Sequence, residues 1–302
     1  MTSATDPHVS GDGYSGLFVT APDGLRLYVR EYGSRTASGT PVVCLPGLTR
    51  NCDDFHELAQ ALIAAPRRVL ALDYRGRGHS EYDRDPANYS LATELADVLA
   101  VLTALAVAPA LFVGTSRGGI LAMLLAVARP TAMTGVVLND IGPVIEPKGL
   151  ARIKSYVGKL PEPKSFHEGA EILRRLFAAQ FPKLDGDDWV TSARGTWDDR
   201  DGRLRLRYDA RLSKTLDGVD LERPVPALWN EFDALAKLPL MVIRGGNSDI
   251  LSAKTVTAMG TRHAGMETFV VPDQGHAPLL AGSEVILRIV EFAASCDRAR
   301  RH

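Results

Sequence analysis

Net charge is what this chain has least of. Its 35 lysines and arginines stand against 36 aspartates and glutamates, leaving −1 at neutral pH. A surface without a dominant sign has no long-range field to gather nucleic acid or an anionic membrane, so neither is expected as a partner. Cysteine is scarce as well: Cys44, Cys52 and Cys296 show no metal-ligand spacing, and an odd count is a poor basis for a disulfide framework. No apolar run has the length of a membrane-spanning helix. The first residues, Met1 to Gly13, lack the basic-then-apolar order of a secretory signal, and the expected location is cytoplasmic. There is no internal repeat and no low-complexity segment. What is present is 45% hydrophobic residues in a chain of 302. That is enough for a sizeable core, either as one large α/β domain with an insertion or as two modest domains.

Short, almost continuously apolar runs punctuate the chain at 41–45, 68–73, 110–113, 135–140, 239–244 and 268–271. Runs of that length and character are strands buried on both faces. Val19 and the segment 24–32 read as a hairpin turned at Asp23-Gly24, with Leu25, Leu27 and Val29 alternating with Arg26, Tyr28 and Arg30. That makes eight strands. Between them lie helices: one over 53–65, one capped by Ser90 with Leu91, Leu95, Val98, Leu99 and Leu102 on one face, one following Ser116, and a last one over 283–295. Strand and helix in alternation predict a mostly parallel sheet covered on both faces, and ligands bind such sheets beyond the carboxyl ends of the strands. The alternation breaks over 145–233, a stretch rich in Arg, Trp, Asp and Pro that reads mainly as helices and forms a cap, or lid. The organisation expected is a flexible leader over 1–15, a core from 16–144 and 234–296, the cap over 145–233, and a basic tail over 297–302.

One stretch carries the chemistry. Gly114-Thr115-Ser116-Arg117-Gly118-Gly119 follows an apolar strand and opens an apolar helix. Gly-x-Ser-x-Gly in that setting is a nucleophile elbow: a strained turn lifts the serine hydroxyl above the sheet edge, and the small flanking residues let strand and helix approach. A serine needs a base to take its proton and an acid to orient that base. His276, in Gly275-His276-Ala277-Pro278 after the last strand, is the base. Asp249, after the 239–244 strand, is the preferred acid because Gly245-Gly246 frees its loop to reach the histidine; Asp140, at the end of the 135–140 strand, is the alternative. Chain order Ser, Asp, His fits both. The oxyanion donors are the backbone N–H groups of Arg117 and, from the Pro46-Gly47-Leu48 loop, of Leu48.

With these residues in place the chain resembles the α/β-hydrolase family, and within it the cap-bearing branch of esterases, enol-lactonases and C–C hydrolases. The resemblance rests on Leu45-Pro46-Gly47-Leu48, on Asp73-Tyr74-Arg75-Gly76-Arg77-Gly78-His79-Ser80, on the elbow, on Asp249 and on Gly275-His276-Ala277-Pro278. It implies an eight-stranded, mostly parallel α/β sheet and a serine hydrolase that uses no cofactor and no metal on a small carboxylic ester or lactone. C–C bond hydrolysis, cofactor-free dioxygenase or lyase chemistry, and a non-enzymatic receptor are the alternatives on the same scaffold. Epoxide hydrolysis and dehalogenation are disfavoured, since they need a carboxylate where this chain has Ser116. Two departures stand out: many relatives carry His-Gly in place of Pro46-Gly47, and Met in place of Arg117. A backbone donor survives both. Candidates for the substrate pocket are Arg50, beside the oxyanion loop, and the aromatics Phe181, Trp189, Trp197 and Trp229 of the cap. Gluing the cap to the core is an equal claim on those aromatics. Asp73 and Arg75 are expected to shape the glycine-rich turn, and Cys52 to be a structural or pocket-wall residue.

Overall fold

A computed structural model describes residues 8–9, 13–218, 220 and 225–299. The chain opens with β1 (His8–Val9), β2 (Tyr14–Thr20) and β3 (Arg26–Tyr32), an antiparallel start turned at Asp23-Gly24. Then follow β4 (Val42–Leu45), a 3₁₀ turn at Cys52–Phe55, α1 (His56–Ala64), β5 (Val69–Leu72), α2 (Leu91–Ala104), β6 (Ala110–Thr115), α3 (Arg117–Ala128) and β7 (Met133–Asn139). The eight expected strands are all in one sheet, and the two-residue β1 adds a ninth at its edge. From β5 through β4, β6 and β7 onward the pairing is parallel.

Solvent exclusion explains these elements. Every residue of β4 and β5 is buried, as are Leu111, Phe112 and Val113 of β6, because helices cover the sheet on both sides. Burying each such side chain contributes about 1.5–3 kcal/mol. α2 begins where Ser90 accepts a hydrogen bond from the Thr93 N–H, an N-cap that satisfies one of the helix's free donors.

Between β7 and the next strand of the sheet the chain makes its long excursion. It comprises α4 (Pro147–Tyr156), α5 (Phe166–Phe177), α6 (Gly186–Thr196), the antiparallel hairpin β8 (Trp197–Arg200) and β9 (Arg203–Leu206), a 3₁₀ stretch at Ala210–Leu216, and α7 (Trp229–Asp233). Asp185 and Asp188 form a reciprocal capping box at the start of α6. The chain then returns with β10 (Leu240–Gly245), α8 (Ala253–Arg262), β11 (Glu267–Val271) and α9 (Ser283–Ala299), with β10 pairing parallel to both β7 and β11.

Both expected ends need correction. Tyr14 and Ser15 already pair in β2, so the leader does not extend to residue 15; most of it lies outside the described residues. At the other end α9 continues through Ala299, and Asp297 accepts from the Arg67 guanidinium at 2.5 Å and from the Thr40 N–H at 2.9 Å. Residues 300–302 of the expected tail lie outside the described residues. No helix among the described residues is long and apolar enough to cross a membrane.

Candidate active site

Ser116 stands between β6 and α3 with φ 51° and ψ −112°, a left-handed backbone that a non-glycine residue holds only under surrounding constraint. The constraint is visible in its neighbours. A Cβ on Gly118 would lie 2.0 Å from the Leu45 carbonyl oxygen, and one on Gly114 would lie 2.6 Å from the Gly118 carbonyl. Only glycine lets α3 sit this close to β4 and β6. The turn is closed by Gly119 and Ile120 N–H groups donating to the Ser116 carbonyl.

Three loop ends converge at that point. His276 Nε2 lies 2.8 Å from Ser116 Oγ, and His276 Nδ1 lies 2.7 Å from Asp140 Oδ2. The His276 side chain is 6% exposed and that of Asp140 is fully buried. The acid that meets the histidine is thus Asp140, and the preference for Asp249 is corrected. β7 lies directly beside β6 with Thr115 paired to Asn139, so the residue after β7 emerges next to Ser116. Asp140 is then fixed on every side. Its N–H donates to the Ile243 carbonyl, and its carboxylate accepts from the Gly245 N–H at 2.8 Å and the Ser248 hydroxyl at 2.6 Å.

Asp249 is engaged elsewhere. Arg152 of α4 grips its carboxylate through two hydrogen bonds of 2.7 and 2.8 Å. Burial pushes this carboxyl up, but the Arg152 hydrogen bonds and charge outweigh it and hold the pKa below the usual value. The loop bearing His276 is held from two directions. The Asn139 amide donates to the Pro278 carbonyl, and Gln180 of the excursion packs on Gly275, where a Cβ would come within 2.4 Å of the Gln180 Cβ.

The loop after β4 lies beside the elbow: a Cβ on Gly47 would stand 3.9 Å from the Ser116 Cβ. Leu48 follows, and its carbonyl accepts from Arg77 Nε at 2.9 Å. Arg77 is wholly buried, as is Glu94 of α2, which it meets at 2.7 Å. The other oxygen of Glu94 takes the Arg117 guanidinium at 2.6 Å. Burial lowers the pKa of Arg77, Glu94 raises it and Arg117 lowers it again, for a net shift below the ordinary guanidinium value. As expected, Asp73 shapes the glycine-rich turn, accepting from the Cys52 and His79 N–H groups, and Arg75 is clamped among Asp97, Asp83 and Asp23.

With this geometry in view the relatives can be placed. The model of the alpha/beta hydrolase family matches residues 42–288. The chain belongs to that family. This hydrolase is 33% identical over 275 residues to the 3-hydroxybutyrate-oligomer hydrolase of Cupriavidus necator, covering 85% of this chain and 89% of that protein. It is 25% identical over 267 residues to the 2-(acetamidomethylene)succinate hydrolase of Mesorhizobium japonicum, covering 88% and 90%. Among solved structures, an alpha/beta hydrolase from Novosphingobium aromaticivorans superposes with a TM-score of 0.85 at 39% identity, covering 93% of this chain and 98% of that one.

The expected pocket residues of the hydrolase fare differently. Trp189, Trp197 and Phe181 are buried in a cluster with Ala170, Leu173, Ala193 and Leu204, in the interior of the excursion. The Trp197 indole N–H donates to the Pro161 carbonyl. Trp229 stacks edge-on with Phe232 and carries Arg262 over its ring at 4.5 Å. Arg50 does lie beside Gly47, but its guanidinium pairs with Asp54 and donates to Thr196 Oγ1, tying the loop after β4 to α6. Cys52 is buried, and burial with the nearby Asp73 charge raises its thiol pKa well above the ordinary value, which leaves a poor nucleophile. The residues missed in the sequence are Glu94, Arg77, Arg152 and Ser248. For Glu94 the signal was its spacing: it falls four before Val98 and seven before Val101, both buried on the same helix face.

Proposed function

We propose that this hydrolase cleaves short carboxylic esters through an acyl-enzyme. Ser116 is the nucleophile, His276 the proton carrier and Asp140 the orienting acid, with the Leu48 and Arg117 amides receiving the oxyanion. The observation that carries this reading is the unbroken hydrogen-bonded line from Ser116 Oγ through both imidazole nitrogens to Asp140. His276 Nε2 takes the serine proton as Oγ adds to the ester carbonyl. The tetrahedral oxyanion accepts hydrogen bonds from the two amides, each worth about 3 kcal/mol in the transition state. The imidazolium, steadied by Asp140, returns its proton to the departing alkoxide. Water then repeats the sequence on the acyl-enzyme and releases the acid.

Oligomers of a short hydroxy acid are the first natural substrate to test, because the relative from Cupriavidus necator bears that activity in its name. The experiment compares wild type and Ser116→Ala on p-nitrophenyl esters of graded length and on the linear dimer and trimer of 3-hydroxybutyrate. Activity on both sets, lost by at least about 10³-fold in the variant, is expected. Ester cleavage without oligomer cleavage removes the hydroxy-acid substrate. A folded protein inert on every ester overturns the esterase reading in favour of C–C bond hydrolysis or lyase chemistry.

A further inference from the structure

Burying three charged side chains behind a turn is an expensive way to hold it. Desolvating ions costs several kcal/mol each, and apolar residues of similar volume commonly serve stability as well or better. Glu94, Arg77 and Arg117 nevertheless form such a cluster, with side chains 0%, 0% and 13% exposed. Its connections have a direction. Arg77 Nε donates to the carbonyl of Leu48, and its Nη1 donates to the Arg75 carbonyl and meets one Glu94 oxygen. The other Glu94 oxygen receives Arg117 Nε, while Arg117 Nη2 donates to the Tyr89 carbonyl at 2.9 Å. Leu48, in the loop after β4, and Arg117, at the start of α3, are therefore joined through one carboxylate. The cluster also holds two guanidinium groups against one carboxylate, and Arg77 Nη2 has no hydrogen-bond acceptor among the described residues.

We propose that Glu94 and Arg77 are positioning residues of the oxyanion hole, and that the Arg117 side chain adds unneutralised positive charge behind it. The inference rests on the serine-esterase reading above. The network fixes the spacing of the two amide donors before substrate arrives, which is the condition for electrostatic preorganisation. Its excess positive charge acts through a water-poor interior, where interaction with a developing oxyanion is far less screened than in water. Both effects grow as charge builds on the carbonyl oxygen, so they lower the barrier without tightening ground-state binding.

The test uses Arg117→Met, Arg117→Gln and Arg117→Lys in the full chain, with Ser116→Ala alongside. kcat and KM are measured on p-nitrophenyl butyrate, together with the affinity for phenylboronic acid, whose tetrahedral serine adduct carries a negative charge. Arg117→Met is expected to lose about 10- to 30-fold in kcat, less than the 10²–10³ of deleting an oxyanion donor outright. KM stays within about twofold, and boronate affinity falls in step with kcat. Arg117→Lys, which keeps the charge, recovers most of the loss. Arg117→Gln keeps a donor to Glu94 without charge and reads the same quantity if the methionine variant does not fold. A folded neutral variant with wild-type kcat and boronate affinity overturns the proposal, as does a loss confined to KM. Activity surviving in Ser116→Ala overturns the underlying reading instead, so the two failures are told apart.

Discussion

In β6, Leu111, Phe112 and Val113 are shut off from solvent on both faces of the sheet; in α5, Gly169, Ala170 and Leu173 are the buried residues, and charged side chains such as Glu171 and Arg174 face water. The central strands of the sheet are thus held by apolar burial. The α5–α6 unit has a small apolar interior of its own, and many of the described bonds that fasten it and its hairpin to the rest are polar: Arg207 with Asp53, Arg50 with Thr196, and Asn51 with the Gly195 carbonyl. Such pairs fix orientation more than they add stability. The two regions should therefore fail separately, under different insults.

The sharpest contrast concerns the two carboxylates, one at each kind of attachment. Asp140→Asn is expected to lower kcat about 10³- to 10⁴-fold, because the imidazole loses the partner that orients it and stabilises its charged form. Asp249→Asn is expected to stay within about tenfold of wild type, since it frees Arg152 and leaves the proton path intact. Steady-state kinetics on one p-nitrophenyl ester decides this, and the opposite ranking would show that Asp249 takes the histidine during turnover.

Packing gives the next largest effect. Phe112→Ala is expected to destabilise the whole molecule by about 3–5 kcal/mol, visible as a lower melting temperature by circular dichroism. Trp197→Ala is expected to leave the sheet's transition nearly in place while trypsin cuts within 160–210 much faster. A single shared loss of stability in both variants would mean that the excursion and the sheet unfold as one unit.

Acid supplies the mildest test. For Asp53, burial raises the carboxyl pKa, but Arg207 and Arg30 outweigh it and hold the group below its ordinary value, and Asp249 is likewise depressed. A depressed carboxyl stabilises fully above the unfolded value of about 3.9 and loses that contribution as pH falls through the lower folded value. Pepsin at pH 3 should then cut first within 166–206 and only later in the strands. First cuts in β4 to β7 would refute a polar attachment.

The sheet and the elbow were legible because each is written locally. A strand needs only its own apolar run, and Gly114, Ser116 and Gly118 fall within five residues. The acid was not, because β7 and β10 lie side by side and both end in a loop bearing an aspartate. What separates them is Arg152, 97 residues before Asp249, together with the strand order that puts β7 next to β6. The aromatics carried two readings for a similar reason. A tryptophan that fills the interior of an insertion and one that lines a pocket have the same sequence neighbourhood, and only the packing partners of Trp197 distinguish them.

The contact between Gln180 and Gly275 sets a rule for remodelling this enzyme. Exchanging the excursion for that of another hydrolase is an obvious route to new specificity, and the sheet would tolerate the graft. The loop carrying His276 would tolerate it only while position 275 stays glycine, because a Cβ there would come within 2.4 Å of the Gln180 Cβ. A library that varies residue 180 can therefore be broad, while position 275 is best left as glycine.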